Sequence, residues 1–206
     1  VRRVLLLLLA LSLSLSSFSQ RRNKNVREKD PEQLKIEVEY LFIEAEKLYL
    51  LKNYSQATEL LNKCLSLQPD NDVFYFKKAE ISSETEQFEQ AAKFIEKALE
   101  LNPSNKYYYL LAVDIYSNLG DLKAVANTYE SLVKTVPGTS NYLFNLAATY
   151  IYLKDLDNAL ATYSRAQEKF GLNEEIAFQK QKIYLQQNNL EEAIAVGREL
   201  IATFPA

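Results

Sequence analysis

From residue 38 onward the apolar positions recur at intervals of three and four, the spacing of one helix face. Breakers interrupt them on a fixed beat. Pro69, Pro103 and Pro137 stand 34 residues apart, Pro205 lies 68 beyond Pro137, and Gly171 takes the place between. Small residues keep the same beat at Ala57, Ala91, Val125, Ala159 and Ala193, and again at Ala45, Ala79, Val113 and Ala147, with Gln181 closing the second series. Each period predicts two amphipathic helices. In the stretch 106–137, apolar residues at 109, 110, 112, 113 and 116 form one stripe. Gly120-Asp121 make a turn, a second stripe carries Val125, Tyr129 and Leu132, and Pro137 ends it. Neither stripe can be buried alone. Antiparallel packing within a unit and stacking between units predict an all-α solenoid.

The units read 38–71, 72–105, 106–139, 140–173 and 174–206. Asp30 as N-cap, Pro31 in the first turn and Gln33 three residues after the cap predict a longer first helix over about 31–51, so the array spans 31–206. Ala147, Tyr150, Ala159, Tyr163 and Ala166 occupy positions 8, 11, 20, 24 and 27 of the fourth unit. Ala79, Ala91, Ile95, Ala98 and Pro103 occupy positions 8, 20, 24, 27 and 32 of the second. This pattern resembles the tetratricopeptide repeat (TPR), here in five units. The resemblance implies a right-handed superhelical solenoid of antiparallel helix pairs that binds proteins or peptides rather than catalysing a reaction.

The fifth unit departs from the pattern, with Lys180 at position 7, Gln181 at position 8 and Gly197 at position 24. Its second helix stays apolar at Ile194, Leu200, Ile201 and Phe204. We expect residues 190–206 either to pack on a partner, a second copy of the chain included, or to mark a cut at a repeat boundary.

The N-terminus reads as an export signal. Arg2 and Arg3 precede an apolar run from Val4 to Leu15, and Ser17-Phe18-Ser19 offers small residues ahead of Gln20. Residues 1–19 are expected to be a signal peptide cleaved near Ser19/Gln20, which would place the mature chain, without a transmembrane span, in the periplasm or outside a bacterial cell. An uncleaved anchor is the rival reading; it would need a longer apolar run. Residues 20–30 form a polar, basic lead-in. The first residue is Val and the chain has no Met, which together with the apolar C-terminal helix raises the expectation of truncation.

Composition narrows the chemistry. The 206 residues include no His, one Cys and four Gly. That removes His-based triads and metal motifs, internal disulfides and Gly-rich phosphate loops. No cofactor is expected, and no catalytic or metal-binding residue. Residues 1–29 hold seven Lys/Arg and one Glu, and the whole chain is −3, so the remainder carries −9. An acidic body does not suit nucleic acid. Cys64 falls at position 27 of the first unit and is expected to fill the core. Tyr116, Tyr150 and Tyr184 at position 11, with Tyr129 and Tyr163 at position 24, are expected to bury rings and leave hydroxyls at an edge.

The resemblance implies that positions 2, 5, 9 and 12 of the first helices line a groove for extended peptides. Position 5 holds Phe42, Phe76, Leu110, Phe144 and Phe178, and position 9 opens with Glu46, Glu80 and Asp114. Positions four apart share a helix face, so an apolar row would run beside an acidic one. Such a groove suits an extended segment carrying Lys or Arg next to apolar residues. The competing reading packs the Phe row against neighbouring helices and leaves the acids in water. The carboxylate clamp of some family members is absent. Its positions here are Phe42, Glu46, Lys77, Tyr107 and Leu111, and one of the five is basic. The expected function is that of an exported, non-catalytic protein-binding scaffold in the cell envelope. The alternative is an N-terminal spacer or dimerisation arm of a longer envelope protein.

Overall fold

The computed structural model describes residues 30–204, so the expected export signal at 1–19, the lead-in up to residue 29, Pro205 and Ala206 lie outside the described residues. Ten α-helices follow in order: α1 Pro31–Leu50, α2 Tyr54–Leu67, α3 Asp72–Glu84, α4 Phe88–Leu101, α5 Lys106–Asn118, α6 Leu122–Thr135, α7 Leu143–Tyr152, α8 Leu156–Phe170, α9 Glu174–Gln186 and α10 Leu190–Thr203. No strand occurs among the described residues. Odd-numbered helices are the first members of their units and even-numbered helices the second. Each first helix packs on its own second helix, and each second helix on the next first helix. The result is an all-α helical-repeat solenoid.

Local chemistry sets the helix ends. Asp30 accepts a hydrogen bond from the Glu32 amide with Pro31 at the first helical position, so α1 starts where the sequence predicts and ends at Leu50. Within every unit the turn places one residue in the left-handed region: Lys52, Glu86, Gly120, Lys154 and Asn188, with φ of 57, 58, 71, 59 and 56°. The residue after each is the N-cap of the second helix. Asn53, Asp121, Asp155 and Asn189 accept a backbone amide there, whereas Gln87 makes no such bond. Between units, Asn71, Asn105 and Asn173 cap α3, α5 and α9 in the same way. Thr139 replaces Asn at this position before α7. Its hydroxyl turns back to donate to the Val136 and Leu132 carbonyls at 2.6 and 3.1 Å, and the chain reaches α7 through a short 3-10 turn, Ser140–Tyr142.

The core runs along the stack, because the main clusters each bridge at least one joint between units. Position 20 is buried in every unit, at Ala57, Ala91, Val125, Ala159 and Ala193. Position 8 is fully buried at Ala45, Ala79 and Ala147. In α5 the buried small residue is instead Ala112, one place earlier, and Val113 is half-buried. There Tyr109 buries its ring against Leu132 and Val136 while its hydroxyl donates to the Pro103 carbonyl, so 108, 109, 112 and 115 face the core.

The fifth unit exchanges sizes. A Cβ placed on Gly197 would meet the Gln181 amide nitrogen at 2.7 Å, so Gln181 occupies the space that a bulky position 24 fills elsewhere. Its amide donates to the Ala193 carbonyl at 3.0 Å, which satisfies the buried polar end. Lys180 is also buried, its ammonium donating to Gln167 at 3.0 Å. Cys64 is fully buried, and burial pushes its thiol pKa up. Gly171 ends α8 at φ 78°.

Candidate functional site: the face of the first helices

The position-5 row is largely spent on packing. Phe42 lies half-buried with its ring 5.2 Å from that of Phe74, and Phe76 stacks on Tyr108 at 4.7 Å. Leu110 packs on the Tyr109–Leu132–Val136 cluster. Phe144 stacks on Phe170 at 5.8 Å and meets Tyr163 edge-on. Phe178 differs, with 63% of its surface exposed. Tyr108 is fixed from its far end, because its hydroxyl donates to Asp72 at 2.7 Å, and burial together with that carboxylate raises its pKa.

The acidic row is partly neutralised from within. The Lys77 ammonium sits 2.6 Å from a Glu80 oxygen and 3.1 Å from a Glu46 oxygen, tying α3 to α1, and lies 4.4 Å from the centre of the Tyr49 ring. Burial would lower the Lys77 pKa, but the bonds and charges of Glu80 and Glu46 outweigh it and the net direction is upward. Burial and the Glu80 carboxylate raise the Tyr49 pKa in turn. Two carboxylates against one ammonium leave this cluster acidic. Asp114 stands exposed further along. Lys77 is held by its own glutamates, which removes it as a free cation for a ligand's carboxylate.

Side chains open to solvent on the same helices include Val73 and Tyr107 at position 2, 39% and 61% exposed. The contacts of Phe42, Phe76 and Phe144 follow the competing reading, in which the row packs on neighbouring helices, while Val73 and Tyr107 stay open beside it. A cavity of about 260 Å³ opens beside Phe42, lined also by Lys35, Glu39, Asn71, Val73 and Phe74. A larger one, about 480 Å³, lies between α2, α3 and α4, lined by Tyr54, Thr58, Lys78, Thr85 and Phe94. It contains none of the two rows' residues. Among the described residues no group of three or more His, Cys, Asp or Glu is placed to hold a metal ion, and no helix is long and apolar enough to cross a membrane.

The sequence matches models of the tetratricopeptide repeat at residues 48–113 and 140–168. No curated protein matches it. Among solved structures it is similar to YrrB, described as a TPR protein with an unusual peptide-binding site, at 18% identity and a TM-score of 0.55 over 80% of this chain and 85% of that one. It is similar to the MamA protein at 13% identity and a TM-score of 0.57, covering 82% of this chain and 96% of that one. A tetratricopeptide repeat protein from Parabacteroides merdae aligns at 17% identity and a TM-score of 0.58, covering 82% and 67%. The matched repeats, the 34-residue beat and the stacked helix pairs lead to one conclusion: this chain is a tetratricopeptide-repeat protein.

Proposed function

We propose that this protein is a non-catalytic scaffold of the cell envelope whose first-helix face captures an extended peptide segment carrying Lys or Arg beside apolar residues. The observation that carries this reading is the pairing of an acidic cluster, Glu46–Lys77–Glu80, with open apolar side chains, Val73 and Tyr107, across α1, α3 and α5. A basic ligand side chain would compete with Lys77 for two carboxylates already gathered at one place. Export rests on the pattern of residues 1–19, a basic start and an apolar run before small residues. The peptide-binding description of YrrB is consistent with such use of the fold.

The test is fluorescence anisotropy with extended peptides alternating Lys or Arg with Leu or Phe. Tyr107→Ser and Val73→Ser change exposed side chains and should leave the fold intact while weakening binding by roughly tenfold together. Phe76→Ala and Glu80→Lys should weaken it further, and raised salt should weaken it for every variant. Unchanged affinity in all four variants would remove the proposed groove. For export, N-terminal sequencing of the protein recovered from the envelope should begin at Gln20.

A further inference from the structure

At three of the four internal joints of the stack, the residue at position 3 of a first helix is covered by the preceding second helix: Phe74, Tyr108 and Ile176 are at most 3% exposed. At the joint into the fourth unit, position 3 is Tyr142, half-buried in the 3-10 turn and stacked on Tyr129. At the first and last of the internal joints, position 7 of the first helix also meets position 25 or 28 of the preceding second helix. Lys78 donates to Asn62 at 2.7 Å, and Lys180 to Gln167 at 3.0 Å. Position 21 of the second helix completes the contact, with Ala92 and Ala126 buried in the clusters that bridge the joint.

The two end faces of the described stack carry the same positions without the cover. At one end Tyr40, position 3 of α1, is 63% exposed. At the other, Ile194 and Ile201, positions 21 and 28 of α10, are 55% and 70% exposed. The remaining positions hold opposite charges, Glu44 at position 7 of α1 and Arg198 at position 25 of α10. Where Lys78 faces Asn62 in an internal joint, an end-to-end joint would set Glu44 against Arg198.

We propose that a second copy of this chain docks its α1 on α10 of the first, head to tail, continuing the solenoid across the joint. Ile194 and Ile201 would cover Tyr40, and Arg198 would pair with Glu44. The contact is heterologous, so each copy keeps one free end and growth proceeds along the stack. This reading is independent of peptide capture on the first-helix face.

The experiment is sedimentation velocity on the full chain over a concentration series, with circular dichroism to confirm that each variant is folded. The wild type should sediment faster as concentration rises. Glu44→Arg sets two arginines together at the joint and Arg198→Glu two glutamates, so each alone should weaken self-association roughly tenfold or more. An equimolar mixture of the two variants should recover it, as should the chain carrying both changes. Four results overturn the proposal: a wild type that stays monomeric throughout, as it would if residues before 30 cover Tyr40; association unaffected by either reversal; reversals that weaken it without recovery in the mixture, as α10 pairing with α10 would give; or association that survives Ile201→Lys.

Discussion

At the residue scale, the five intra-unit turns show how a repeat tolerates local strain. Position 15 is left-handed in every unit, yet glycine stands there only at Gly120. Lys52, Glu86 and Lys154 carry a Cβ into a region that costs L-residues about 1–2 kcal/mol. After Lys52 and Lys154 the cap that follows offsets this cost, since Asn53 and Asp155 each satisfy a backbone amide at the start of the second helix. Replacing Lys154 by Gly should therefore stabilise the protein by about 0.5–1 kcal/mol, after allowing for the greater freedom of glycine in the unfolded chain. Thermal denaturation followed by circular dichroism should show a midpoint raised by a few degrees. A lowered midpoint would mean that the Lys154 side chain contributes more than the turn costs it.

Helix pairs carry the next level of organisation, and the fifth pair is the informative one. Read position by position, Gln181 and Gly197 look like two independent departures. In the structure they are one exchange, a long polar side chain reaching from α9 into the gap left by a glycine in α10. Gly197→Leu alone should destabilise by about 1–3 kcal/mol, because the new side chain and Gln181 compete for one space. Gln181→Ala alone leaves the gap unfilled and should also destabilise. The double variant restores the small–large pattern of the other units and should be more stable than the two single losses added together. A double-mutant cycle by denaturant unfolding measures this coupling; additive losses would show that the two sites are independent. The departure from Asn to Thr139 before α7 has the same character, one hydroxyl serving the end of α6 while the next helix begins through a tighter turn.

On the scale of the whole molecule, the many tyrosines give the stack a common response to alkali. Burial raises the pKa of Tyr49, Tyr108, Tyr116, Tyr129, Tyr150, Tyr163 and Tyr184, and nearby carboxylates add to several of them. A tyrosine whose folded pKa lies above its unfolded value near 10 binds its proton more tightly when folded. Stability is therefore lost as pH rises through that unfolded value. The raised Cys64 and Lys77 act in the same direction, while Lys78, lowered by burial, opposes them in its own titration range. The melting midpoint should stay level near neutrality and fall from about pH 9 upward, with Tyr116→Phe reducing the alkaline loss. A midpoint constant to pH 11 would contradict this account.

Periodicity by itself determined the solenoid and the buried small residues of position 20, because a 34-residue beat of breakers and apolar stripes calls for paired helices that stack to bury their faces. It also placed the cap of α1 and the core position of Cys64, since those depend on neighbours along the chain or on the same helix face. The buried small residue of α5, Ala112 in place of Val113, was set by packing. Which side chains of the first-helix face remain open was settled only by packing across helices. Phe42, Phe76 and Phe144 turn to rings on neighbouring elements, and Lys77 draws Glu46 and Glu80 from two units into one cluster. The exchange of Gln181 for a missing side chain at Gly197 belongs to the same class. A sequence records the size and charge at each position, but whether two positions share one space depends on how far one helix stands from the next, and that distance exists only in the folded stack.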